Sequence, residues 1–163
     1  MMHSVQHQRG ITLIEILVTV IILSIGFLGL ASVQLMGTKN VTNSQYRTVA
    51  TLYAYDMVER MRANIAGINA NSYNNSKTSS ATDPNCTTCS FADQADLDVY
   101  QWKQMIEAKP TDGGLPGGAG EIEFDSDEET YEITITWNEN VQTGRYEQDD
   151  SDTEQELVLT VRL

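Results

Sequence analysis

Histidine is almost missing from this chain. His3 and His7 are the two in 163 residues, and both precede the first long apolar run. That scarcity removes the usual general base of a Ser-His or Cys-His nucleophile pair, and no Gly-x-Ser-x-Gly elbow compensates for it. A zinc site is equally short of ligands, since two cysteines alone leave a tetrahedral site half filled. Basic residues are also sparse, ten Lys and Arg against 23 Asp and Glu, for a net charge of −13. Phosphate contact needs clustered Lys and Arg, so nucleic acid is excluded as a partner. The glycine-rich stretch 113–120 has no Lys-Ser/Thr terminus and no following helix, which makes it a turn rather than a phosphate loop. No cofactor is expected.

What the chain does have is one long apolar run, ITLIEILVTVIILSIGFLGLASV, with a carboxylate at Glu15. From Ile16 to Thr38 no residue is charged, about 23 positions, which at about 1.5 Å per residue exceeds the roughly 30 Å hydrocarbon core of a bilayer. A cleavable secretory signal has a shorter apolar region, so the run reads as a retained anchor. Arg9 on one side and Lys39 and Arg47 on the other orient it poorly. A carboxylate in such a segment costs on the order of 2.5–3.5 kcal/mol at mid-membrane, so Glu15 is either an interfacial residue that snorkels or is protonated, or it has a use.

Beyond Lys39, Val49, Leu52, Tyr53, Met57 and Met61 recur at three- and four-residue spacing, which extends the helix to about Ile65 with one stripe facing a domain; Asn64 and Gly67 supply the stop. The stretch from Ala66 to Ser90 is rich in Asn, Ser and Thr and reads as a surface excursion too polar to bury. Within it Cys86-Thr87-Thr88-Cys89 is a redox motif, a metal half-site or a structural clip. No strand–helix context for a redox motif is visible, and a membrane-crossing segment upstream would place the pair in an oxidising compartment, where a disulfide is the default. A second helix is expected over about Ala92–Lys109, with Asp93, Asp96 and Asp98 early, Lys103 and Lys109 late, and Pro110 ending it. Alternation then predicts strands near Glu121–Phe124, over Tyr131–Trp137 and over Leu157–Leu163. The acidic runs DSDEE and EQDDSDTEQE invite calcium, but neither has the sixth-position glycine of an EF-hand loop; solvated turns and no metal site are expected. The fold class is therefore α+β, a ladle in which the second half of a long N-terminal helix packs on a small antiparallel sheet.

The junction Arg9-Gly10-Ile11-Thr12-Leu13-Ile14-Glu15 resembles the class III signal of type IV prepilins and pseudopilins, with Ile11 where phenylalanine is commoner and Ser32 where many major pilins carry proline. The resemblance implies cleavage after Gly10 by a prepilin peptidase and N-methylation of Ile11. It also implies subunit docking through Glu15, whose carboxylate lies about 6 Å along the helix from the new terminus and meets a neighbour's ammonium. The stretch YAYDMVERMRAN, with Asp56, Met57, Glu59, Arg60, Met61, Arg62 and Asn64, resembles the PilV family of minor type IV pilins, as do Asp98, Trp102 and Leu115-Pro116-Gly117-Gly118 more loosely. This implies a leader at 1–10, a transmembrane assembly half at 11–38, an amphipathic periplasmic half at 39–66 and a head at 67–163. It also implies a non-enzymatic protein of the inner membrane and then of a surface pilus used in adhesion or twitching motility. The implied partners are the prepilin peptidase, major and minor pilins, the assembly platform, a tip adhesin and inner-membrane lipid. The competing readings are a minor pseudopilin of a type II secretion system and a membrane-anchored periplasmic redox or binding protein.

Overall fold

The computed structural model describes residues 12–139 and 154–163. Helix α1 covers Leu13–Ala63, followed by a short α2 at Ile65–Asn69, strand β1 at Ser76–Lys77, helix α3 at Phe91–Ile106, and strands β2 at Ala119–Asp125, β3 at Thr130–Asn138 and β4 at Glu154–Val161. Single 3₁₀ turns lie at Thr78–Ser80 and Pro110–Asp112. The chain divides into two compact units, Met1–Val41 and Thr42–Leu163.

In the first unit every described residue from Thr12 to Thr38 is exposed. In the second, the four strands form one antiparallel sheet in the order β1-β2-β3-β4. Its register sets Ile122 opposite Ile133 and Ile133 opposite Leu159, so the alternating apolar residues form one continuous inner face. That face meets two helical stripes, Ala50, Ala54, Met57, Val58 and Met61 of α1 and Ala95, Val99, Trp102 and Ile106 of α3, all buried. The result is the expected α+β arrangement, a long N-terminal helix packed through its second half on a small antiparallel sheet.

Four of the five residues expected on the α1 stripe face the core: Met57 and Met61 are buried, and Val49 and Tyr53 pack against the core half-buried. Leu52 is the exception at 64% exposed, while Ala50 and Ala54, not expected from their hydropathy, are fully buried. Small side chains there admit the bulky Trp102, whose indole Nε1 donates to the Tyr53 carbonyl at 3.0 Å. Gly120 is small for the same reason. A Cβ at that position would stand inside the van der Waals radius of the Trp102 ring carbons Cζ3 and Cη2.

The polar stretch after Ala66 is not a plain surface excursion. Tyr73 and Thr78 within it are fully buried. Thr78 accepts at Oγ1 from the Gly120 amide at 2.9 Å, and Ser76–Lys77 adds a fourth strand that periodicity cannot detect in two residues. Lys77 forms an ion pair with Glu121 across that ladder. Helicity also resumes past the expected stop, because the Asn64 side chain caps α2 by accepting from the Gly67 amide at 3.2 Å. Helix α3 begins with a capping box in which Ser90 and Asp93 exchange hydrogen bonds. It ends at Ile106 rather than Lys109. Proline at 110 forces Lys109 into extended backbone and opens the following 3₁₀ turn instead.

Candidate functional site

Hydroxyl side chains in the apolar half of α1 are turned back onto their own helix. Thr19 donates to the Ile16 carbonyl at 2.8 Å, Ser24 to Val20 at 2.7 Å, Ser32 to Leu28 at 3.0 Å and Thr38 to Gln34 at 3.1 Å. These bonds remove the cost of placing each hydroxyl in hydrocarbon. Glu15 is different. It lies in the first turn with its amide donating to the Thr12 carbonyl at 3.0 Å, it is exposed, and it is the one ionisable side chain between Leu13 and Thr38. Gly10 and Ile11 lie outside the described residues.

A second set of residues sits at the junction of α1, α2 and α3. The buried Asp98 accepts at Oδ2 from the Tyr73 hydroxyl at 2.6 Å and at Oδ1 from Gln94 Nε2 at 2.9 Å, with Arg60 Nη1 3.7 Å away. Arg60 also donates through Nε to Asp56 at 2.6 Å and through Nη1 to Gln101 at 2.7 Å. The Asn64 amide nitrogen reaches both the Tyr73 hydroxyl, at 3.1 Å, and the Phe91 carbonyl, at 2.8 Å. Burial, and then the hydrogen bond to Asp98, push the Tyr73 hydroxyl above its ordinary range. Asp56, Arg60, Asn64 and Asp98, named from the sequence, thus meet in one network, while Met57, Met61 and Trp102 join the core and Arg62 pairs with Glu59 at 2.6 Å on the surface. Tyr73, the residue that links them, was not legible because its neighbours are Asn and Ser.

The remaining motif residues also have structural positions. Leu115 is buried, its amide donates to the Ile106 carbonyl at 2.9 Å, and Pro116 accepts from the Asn138 amide at 2.8 Å. Gly117 takes a positive φ of 62°, which a side chain disfavours. Cys86 and Cys89 form a disulfide with Cα atoms 5.2 Å apart, one residue before the α3 cap. Further along, Arg47 pairs with the buried Glu139 at 3.0 Å and donates to Gln155 at 3.0 Å, tying α1 to both ends of the β3–β4 connection. In the acidic run at 125–129 the Asp125 Oδ1 is already taken by the amides of Asp127 and Glu128, at 2.8 and 3.2 Å. The second acidic run lies largely outside the described residues. Among the described residues no group of three or more His, Cys, Asp and Glu is arranged to hold a metal.

The model of one family, the prokaryotic N-terminal methylation motif, matches residues 5–31. These residues carry a class III prepilin signal. No curated protein and no solved structure matches the chain. The match supports a type IV pilin- or pseudopilin-like precursor, processed by a prepilin peptidase and assembled with other pilins, and it points to a structural rather than an enzymatic protein. The matched segment extends well into α1, whose apolar half is long enough to cross a membrane, which supports membrane anchoring.

Proposed function

We propose that this chain is a minor pilin of PilV type. It is cleaved after Gly10, methylated on the amino group of Ile11, held in the inner membrane with its head in the periplasm, and carried into a type IV pilus near the initiating tip complex. The observation that carries this reading is the single carboxylate, Glu15, in the apolar half of α1, where the hydroxyls of Thr19, Ser24 and Ser32 are bonded back to the helix, set within the segment that matches the methylation motif. Two opposite charges brought together in low dielectric attract strongly, and this offsets the desolvation each bears alone. A neighbour's Ile11 ammonium is the cation that such staggered helices supply. A pseudopilin of a secretion system has the same N-terminal device. The pilin reading is favoured by the PilV-like pattern at 56–64, whose Asp56, Arg60 and Asn64 close on Asp98 and Tyr73.

Glu15→Gln tests it, because an amide keeps the shape and removes the charge. Membrane insertion, cleavage and head folding are expected to be intact. The processed variant should accumulate in the inner membrane and be depleted at least about ten-fold from sheared fibres, the loss of roughly 1.4 kcal/mol or more of docking energy. Incorporation equal to wild type would remove docking from the role of Glu15.

A further inference from the structure

The two edges of the sheet are unlike. One is the two-residue β1; the other is the eight-residue β4, and among the described residues no strand pairs with its outer side. A long free edge is a template for another strand, and proteins usually blunt it with proline, a central lysine, an inward charge or a bulge. Strand β4, Glu154-Gln155-Glu156-Leu157-Val158-Leu159-Thr160-Val161, has no proline, lysine, inward charge or bulge, and its charged side chains, Glu154 and Glu156, stand at one end and leave Leu157–Val161 unguarded. Its inward row Leu157, Leu159, Val161 and the following Leu163 packs on the core yet stays half-exposed, and outward-facing Val158 is 44% exposed. The open edge thus exposes apolar surface as well as backbone.

Charge along the strand identifies the occupant. Acids stand at its beginning, Glu154 and Glu156, and a base, Arg162, just past its end. Two copies of such a strand run antiparallel are electrostatically self-complementary. Centring the two-fold on Leu159 sets each Glu156 opposite the other copy's Arg162, Leu157 opposite Val161, Val158 opposite Thr160, and Leu159 opposite itself. Side chains alternate between the faces, so a register centred on a residue also keeps inner residues against inner and outer against outer. This register also brings Gln155 opposite Leu163, past the end of the strand; centring on Val158 instead would set Gln155 against Val161 inside the strand and pair Glu154, not Glu156, with Arg162, so the response to Glu156→Arg separates the two registers. We infer that the free edge of β4 is an interface for a second copy of this chain, which joins two four-stranded sheets into one through antiparallel β4–β4 pairing with Glu156 opposite Arg162. The inference is independent of the pilin reading, since it uses no residue of the N-terminal segment.

The test uses the full-length chain carrying either of two tags, co-expressed, solubilised in mild detergent and captured through one tag. Wild type is expected to capture wild type. Glu156→Arg alone and Arg162→Glu alone should each lower self-capture by about ten-fold, because each turns two cross-strand attractions into two repulsions. Both side chains are exposed and outside the core, although Arg162 also donates through Nη2 to the Glu128 carbonyl at 2.5 Å, a surface bond that Arg162→Glu removes; a thermal melt checks that each variant stays folded. The decisive arm mixes the two variants: a Glu156→Arg copy and an Arg162→Glu copy regain both opposite-charge pairs and should capture each other as wild type does. Absence of self-capture by wild type would overturn the inference. So would capture that ignores the charge changes, which would assign association to the apolar helix, or failure of the mixed pair to recover.

Discussion

Tyr73→Phe removes one hydroxyl and keeps the ring, and the network around Asp98 sets its cost. The lost group donates to the buried Asp98 carboxylate at 2.6 Å and accepts from Asn64 at 3.1 Å. A hydrogen bond to a charged partner contributes about 1.5–3 kcal/mol. Asp98 would retain Gln94 and the more distant Arg60, and Asn64 would retain the Phe91 carbonyl, so the lower part of that range applies. The expected destabilisation is about 2 kcal/mol, a fall in melting temperature of roughly 6–12 °C for a domain of this size. Denaturant unfolding of the full-length chain in detergent, followed by fluorescence of the buried Trp102 and Trp137, measures it. Combining Tyr73→Phe with Asp98→Asn should give a coupling of at least about 1 kcal/mol, because both changes act on one bond. The pH dependence carries a sign. Burial and the Asp98 bond raise the Tyr73 pKa in the folded protein above its ordinary 10.0. The tyrosine contribution is therefore complete below pH 10 and is lost as pH rises beyond it, when the unfolded chain ionises first. The stability gap between wild type and Tyr73→Phe should narrow above pH 10. A gap under about 0.5 kcal/mol at pH 7, unchanged up to pH 11, would refute the network as a source of stability.

Gly120→Ala should destabilise the head by about 1–3 kcal/mol, since the new methyl group collides with the fully buried Trp102 ring; a melting temperature equal to wild type would mean that the ring has room to move. Cys86 and Cys89 should resist alkylation until a reductant is added, as read by intact mass, and quantitative labelling without reductant would contradict the clip. Reducing that bond should loosen the chain around it more than the whole head, because a clip across four residues removes little entropy from the unfolded chain.

Strands β2 to β4 were readable because alternation with period two survives wherever one face is buried, as Tyr131, Ile133, Ile135 and Trp137 illustrate. The helical stripe was read only in part. Met57 and Met61 announce themselves by size, but Ala50 and Ala54 matter through smallness, which hydropathy does not register, and Leu52 looked like core while facing outward. Ser90 and Asp93 did hold the spacing of a capping box, so that boundary was available. Tyr73 and Thr78 were hidden by polar neighbours, since their burial depends on α3 and β2, which lie far along the chain. The same holds for Arg47 and Glu139, whose pairing spans most of the second unit. Glu15 stood out because a charge in an apolar run carries a known cost. The head residues gave no comparable signal, and the structure finds those of the PilV-like patterns mostly in packing and hydrogen bonding, with Glu59 and Arg62 on the surface.

The central claim is that this chain is a processed pilin subunit, and its N-terminus decides that most directly. Fibres sheared from peptidase-competent cells should yield the protein, and its N-terminal peptide should begin at Ile11 with the added mass of one methyl group. In a Gly10 variant with a bulky side chain, the full-length precursor should remain in the membrane fraction and be missing from the fibres. A chain recovered with Met1 or Met2 at its terminus, from cells that process other prepilins, would contradict the account.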